Sequence, residues 1–222
     1  MDRPFANRHE AGVELASKLR QYAGRDDVVV LALPRGGVPV AFEVAEALDA
    51  PLDIFLVRKL GLPGHPELAM GAIASGGVLV VNDDVVRWYG VPDRVIEVVA
   101  RDEQAELERR DREYRQGRPL IDLRGKTVLL VDDGLATGST MKAAVGAVRQ
   151  HGPAHVVVAV PVGAPSSCHE FADITDEIVC ARTPEPFSAV GQWYRDFSQT
   201  TDEEVRELLD AHTRHVATGG TS

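Results

Sequence analysis

The stretch Val128-Leu-Leu-Val-Asp-Asp-Gly-Leu-Ala-Thr-Gly-Ser-Thr-Met141 decides the fold. It reads as a buried strand, an acidic pair, a turn of small residues and the start of a helix. A strand over Thr127–Val131 delivers Asp132 and Asp133 to the carboxyl edge of a sheet, where ligands of open α/β sheets bind. Gly134 to Thr140 then supplies backbone N–H groups, and the hydroxyls of Thr137, Ser139 and Thr140, at a helix N-terminus. The N–H groups and the helix dipole both favour an anion there. Carboxylates beside an anion loop suit a sugar phosphate, which needs acceptors for its hydroxyls and donors for its phosphate.

The rest of the chain repeats the strand-and-helix theme. Short apolar runs recur at Val28–Leu33, Leu52–Val57, Val78–Val81, Thr127–Val131, Val156–Val160 and Ile178–Ala181. They are continuous and rich in Val, as strands buried on both faces are. Helical periodicity fills His9–Tyr22, Val38–Leu48 and Ser139–Gln150, with Gly152 as a helix stop. The alternation predicts an α/β fold, a central mostly parallel sheet flanked by helices on both faces. Residues 1–215 read as one domain and Val216–Ser222 as a disordered tail of small polar residues. Asp93–Gln116 reads as a long charged helix, with Glu106/Arg110 and Glu108/Arg112 at i,i+4 spacing.

Composition narrows the function. With 222 residues, 44% of them hydrophobic, the chain is long enough for a full core. A formal charge of −10 argues against a nucleic-acid partner, which needs a basic face. Met1 to Arg8 carries no apolar leader, and no apolar run approaches the roughly 20 residues of a membrane span, so a cytoplasmic protein is expected. Cys168 and Cys180 lie outside any Cys-x-x-Cys or zinc spacing and are expected to be reduced thiols.

Three other nucleotide or phosphate folds fit the central stretch poorly. A P-loop needs Gly-Lys-Ser/Thr, whereas this chain has Gly138-Ser139-Thr140. The spacing of Gly134 and Gly138 does not make a Gly-x-Gly-x-x-Gly turn. A receiver domain uses a lysine late in the domain, and none follows Lys142.

From the four apolar residues through Asp132-Asp133 to Thr-Gly-Ser-Thr, the sequence resembles the signature of type I phosphoribosyltransferases, which use 5-phosphoribosyl-1-pyrophosphate (PRPP). The resemblance spans roughly Val28 to Phe197, and the long charged helix resembles that of a little-characterised group of such proteins. It implies that Asp132 and Asp133 bind the ribose hydroxyls, that Ala136, Thr137, Gly138, Ser139 and Thr140 cradle the 5′-phosphate, and that Gly134 is also a PRPP-binding residue. It implies that the loop Leu33-Pro-Arg-Gly-Gly-Val-Pro39 binds pyrophosphate through Arg35, Gly36 and Gly37, with a cis peptide near Pro34–Arg35. Arg58 and Lys59, expected to bind PRPP, resemble an Arg-Lys pair of adenine- and orotate-type members that contacts pyrophosphate or neighbours the active site. Arg35, Lys59, Asp132 and Asp133 are the expected catalytic set. Gly61–Gly77, with His65, takes the place of the family's flexible catalytic loop.

Near the C-terminus, Trp193 and Tyr194 are candidates to stack on an acceptor, and Arg195 resembles a pyrophosphate-contacting arginine. The metal-binding acid of hypoxanthine-type members falls on Ala189, so no metal ligand is assigned to the protein. Ala136 stands where 6-oxopurine enzymes carry an acid, which disfavours that substrate class. The activity implied is magnesium-dependent transfer of 5-phosphoribosyl from PRPP to a nitrogen acceptor such as a nucleobase, with release of pyrophosphate. A small hood would set specificity, and a homodimer is compatible with the family. The same residues would also serve a non-catalytic PRPP-binding regulator or a phosphoribosyl hydrolase. Ribose 5-phosphate formed without an acceptor would mark the hydrolase.

Overall fold

A computed structural model of the protein describes residues 3–219. Five strands, β1 (Val28–Ala32), β2 (Leu52–Ile54), β6 (Thr127–Val131), β7 (His155–Val162) and β8 (Glu177–Arg182), form a parallel sheet in the order β2-β1-β6-β7-β8. Alternate residues of each central strand enter different cores. Val28, Val30, Ala32, Leu129 and Val131 face one, while Val29, Leu31, Val128 and Leu130 face the other. This double burial is why the runs read as continuous rather than alternating.

The first core is closed by α1 (Arg8–Lys18), α2 (Gly37–Leu48) and α7 (Asp202–Gly219), the second chiefly by α5 (Ser139–Gln150) and α6 (Pro165–Phe171). Asn7 caps α1 through a side-chain bond from the Glu10 N–H at 3.0 Å. Helix α2 buries Val38, Val40, Val44 and Leu48, each contributing roughly 1.5–3 kcal/mol when removed from water.

A second, antiparallel sheet of β3 (Val57–Leu62), β4 (His65–Ala74) and β5 (Val78–Val81) forms the hood. The Phe55 N–H donates to the Ala32 carbonyl at 2.8 Å and links the approach to the hood with the main sheet, while the Leu56 N–H donates to Ser75 Oγ and the Ser75 N–H to the Leu56 carbonyl, both at 2.9 Å, at the base of the hood. Helix α3 (Asp83–Tyr89) follows, and then α4 (Asp93–Arg115) lies against β3 and β4. Helix α4 carries both expected i,i+4 pairs, Glu106–Arg110 at 2.8 Å and Glu108–Arg112 at 3.8 Å. It is not simply a solvated rod, because Ile96, Leu107 and Tyr114 are buried.

Several expectations are corrected. Leu52–Val57 is not one strand: the chain leaves the parallel sheet after Ile54 and starts the hood at Val57. Val78–Val81 is a strand of the small sheet, and its partly exposed residues alternate with exposed ones. Gly61–Gly77 is largely a β-hairpin rather than a loop, with register shifts around Gly61 absorbing the glycine-rich sequence. Helix α7 runs to Gly219, so the expected tail is helical over 216–219, and residues 220–222 lie outside the described residues.

Cys168 and Cys180 form a disulfide instead of two thiols. Packing of α6 on β8 brings the sulfurs together, a tertiary contact that sequence spacing does not encode.

Candidate active site

Strand order reverses between β1 and β6: the chain leaves β1 toward β2 and leaves β6 toward β7. That switch point opens a crevice at the carboxyl ends. Register places Ala32 opposite Val131, so the loops that follow the two strands leave side by side. The Leu33 N–H donates to the Val131 carbonyl at 2.9 Å and joins their bases.

The loop after β1 needs its two glycines. A Cβ on Gly36 would lie 2.1 Å from Asp133 Oδ2, and one on Gly37 would lie 2.7 Å from the Val131 carbonyl oxygen. The Pro34–Arg35 peptide is cis, as the resemblance implied. Arg35 turns toward Asp202 at the start of α7, with 3.7 Å between NH1 and Oδ1, and Tyr114 of α4 donates to the same carboxylate oxygen.

The loop after β6 is anchored at its middle and open at its tip. Buried Leu135 bridges to Gly163, its N–H donating to the Val162 carbonyl at 2.9 Å. Ala136, Thr137, Ser139 and Thr140 are exposed. Gly138 enters α5 in the left-handed region (φ 69°), and a Cβ there would strike Phe171 at 2.5 Å. Among the described residues no side chain caps α5, so its first-turn N–H groups remain available to an anion. Gly134 has a similar reason to lack a side chain: a Cβ would lie 2.5 Å from Val190. Ser167 donates to the Ala136 carbonyl and fixes the loop from beneath.

Burial raises the pKa of Asp132 well above the ordinary carboxylate value, and the neighbouring Asp133 raises it further. Burial also raises Asp133, opposed by the Arg8 guanidinium. Among the described residues no group of three or more His, Cys, Asp or Glu could hold a metal ion.

The hood brings one of its two cations to the anion loop. Lys59 Nζ donates to Ser139 Oγ at 3.1 Å. Arg58, its neighbour in β3, pairs with Glu103 of α4 at 2.6 Å. Successive strand residues point to opposite faces, which separates the two cations that sequence reading grouped together. Between the hood and α5 lies a recess of about 620 Å³ lined in part by Lys59, Ala72, Val80, Asn82, Ser139 and Lys142.

The C-terminal candidates divide. Tyr194 is buried against Phe5 and donates from its hydroxyl to the Asp133 carbonyl at 2.6 Å, so its ring is not presented for stacking. Trp193 is half-buried beside the same cluster, with its indole N–H unpartnered. Arg195 is exposed, and its charge acts on Glu10 of α1.

Sequence reasoning missed Arg8. Its Nε and NH2 each lie 2.9 Å from Asp133 Oδ2, and NH1 donates to the Ser198 carbonyl at 2.7 Å. Nothing local marks this residue, because its partners lie far along the chain.

A crevice at the switch point, with an acid pair on one lip and a diglycine on the other, is the arrangement expected of a phosphoribosyltransferase fold. The phosphoribosyl transferase domain model matches residues 6–181, and the chain belongs to that family. A Mycobacterium tuberculosis H37Rv protein provisionally named a phosphoribosyl transferase is 51% identical over 216 residues, 97% of this chain and 48% of its own length. Its counterpart in strain CDC 1551 gives the same values. The chain thus spans about half the length of these curated relatives. The crystal structure of TT1426 from Thermus thermophilus superposes with a TM-score of 0.84 at 44% identity, over 93% of this chain and 97% of that one.

Proposed function

We propose that this chain transfers 5-phosphoribosyl from PRPP to a nitrogen acceptor, a nucleobase being the leading class, and releases pyrophosphate. The observation that supports the reading is the approach of Gly36 to Asp133 across the switch point, which sets the glycine loop after β1 beside the acid pair after β6. In this mechanism Asp132 and Asp133 accept hydrogen bonds from the ribose hydroxyls. The N–H groups and hydroxyls of Ala136–Thr140 hold the 5′-phosphate. Arg35 and the backbone of Gly36 and Gly37 hold the pyrophosphate. Lys59, whose Nζ reaches Ser139 at the start of α5, would add positive charge beside the bound phosphates.

The donor set suits magnesium carried mainly on substrate phosphates, because that ion keeps several waters and needs few protein carboxylates. When bound, magnesium would neutralise charge on the departing diphosphate. The C1–O bond breaks early in such a transfer, so the protein contributes mostly position and preorganised charge. The recess of about 620 Å³ next to Lys59 and Ser139 is of a size that accommodates a small-molecule acceptor.

Calorimetric titration with PRPP, with and without magnesium, tests the reading, followed by an acceptor screen that detects released pyrophosphate. Magnesium-dependent binding and acceptor-dependent release are expected. Absence of PRPP binding under both conditions would sink the proposal.

A further inference from the structure

We infer that Arg8 is a positioning residue for the ribose site: it holds Asp133 by one carboxylate oxygen and fastens that acid to the segment 194–198. The inference rests on the PRPP reading above and deepens it.

Both guanidinium contacts, from Nε and NH2 at 2.9 Å each, fall on Oδ2 of Asp133. Oδ1 is therefore the oxygen left for a sugar hydroxyl. The Arg8 guanidinium carbon stands 4.1 Å from the centre of the Phe197 ring, and NH1 donates to the Ser198 carbonyl. Tyr194 meanwhile holds the Asp133 carbonyl from the same segment. The acid is thus gripped at both its main chain and its side chain by groups outside its own loop. The Arg8 and Asp133 side chains are only 12% and 16% exposed, so the pair is shielded from the solvent screening that weakens surface ion pairs. Gly36 completes the enclosure: a Cβ there would meet Asp133 Oδ2 and come within 3.5 Å of Arg8 Nε.

A carboxylate accepts from a ribose hydroxyl best when ionised. The titratable and charged groups around Asp133 are Asp132 beside it, Arg8 from α1 and Tyr194 from the C-terminal segment, with Arg182 of β8 acting on Tyr194. Arg8 is the cation among these that opposes the effect of burial on Asp133. Removing it therefore favours the protonated acid, and favours it more as pH falls.

The test is PRPP affinity, measured with magnesium from about pH 8.5 to about pH 6, for the wild type, Arg8→Gln, Arg8→Lys and Phe197→Leu. Loss of a charge-assisted hydrogen bond predicts roughly tenfold or greater weakening in Arg8→Gln. The Kd ratio of Arg8→Gln to wild type should grow as pH is lowered. Arg8→Lys keeps the charge, so it should weaken binding with a ratio that changes little with pH. Phe197→Leu removes the stacking partner from a residue that is 38% exposed, so it tests the tether without risking the fold; a loss of a few-fold is expected.

A pH-independent loss in Arg8→Gln would reduce Arg8 to a structural role and overturn the inference. Wild-type affinity in both Arg8→Lys and Phe197→Leu would also overturn it, even if Arg8→Gln failed to fold. A wild type that binds no PRPP overturns the functional reading, an outcome distinct from wild-type binding that the variants leave unchanged.

Discussion

Lys59 Nζ lies 3.1 Å from Ser139 Oγ, so a strand of the hood touches the first residue of the helix that follows the loop after β6. Lys59 is exposed, and truncating it should cost the fold little. Lys59→Met is expected to reduce PRPP-dependent pyrophosphate release by roughly 10- to 100-fold, the worth of one charge-assisted contact. Its melting temperature should stay near that of the wild type. Steady-state kinetics and a thermal melt on one preparation check both halves.

Two glycines should respond in opposite directions to an added methyl group. Gly36→Ala drives a Cβ to 2.1 Å from Asp133 Oδ2, so the acid or its loop must move. PRPP affinity should fall at least about tenfold, with a stability cost on the order of 1–3 kcal/mol. At Gly146, inside α5, the nearest atom to a new Cβ is Val80 Cγ1 at 3.6 Å, an ordinary contact. Gly146→Ala should therefore stabilise by about 0.5–1 kcal/mol and leave PRPP binding unchanged. Denaturant melts paired with calorimetry separate the two outcomes.

The acid pair should cost the folded protein stability at neutral pH. Both pKa values are raised in the folded state, chiefly by burial. The native state then binds more protons than the unfolded chain above the ordinary Asp value. The associated stability is present in acid and is lost as pH climbs toward the raised folded values. Asp132→Asn removes this penalty. It is expected to raise the melting temperature at pH 7 by about 2–4 °C, corresponding to a gain of order 1 kcal/mol, and to abolish tight PRPP binding. Scanning calorimetry over pH would show the gain shrinking toward acid; a variant that melts lower at every pH would sink this prediction.

The largest single loss of stability should come far from the crevice. Arg115 closes α4 with a side chain only 4% exposed, donating from Nε to Asp53 Oδ1 at 2.9 Å and from NH1 to Asp111 at 2.6 Å. Asp53 also accepts the Ile54 and Ile121 N–H groups, at 2.8 and 3.1 Å. Arg115→Met leaves that carboxylate buried without its cation, and a loss of about 3–5 kcal/mol is expected. Urea denaturation measures it.

The parts of this fold that were legible in the sequence are those whose signal is local. The strand Thr127–Val131 and the helix Ser139–Gln150 lie where the apolar run and the helical period place them. Helix α4 departs by one residue, because Gln116 adopts a left-handed cap (φ 52°). The hood was not legible as a sheet. Its Gly- and Pro-containing sequence carries loop chemistry, and antiparallel pairing with β3 and β5 supplies the order that local preference lacks.

At the site, the acid pair and both glycine loops could be read because each is contiguous. Arg8 could not, since its contact with Asp133 joins α1 to the edge of β6. Arg58 and Lys59 show the converse: they are adjacent in sequence, yet adjacency in a strand sends their side chains to opposite faces.

The close approach of Gly36 to Asp133 also couples two positions in any relative built on this backbone. A side chain at the first is compatible only with a shorter or displaced residue at the second, so neither can vary freely while the other stays. Inspecting the two together would separate chains that have kept this close approach of loop and acid from chains that have kept only the scaffold, a distinction that either position alone does not make.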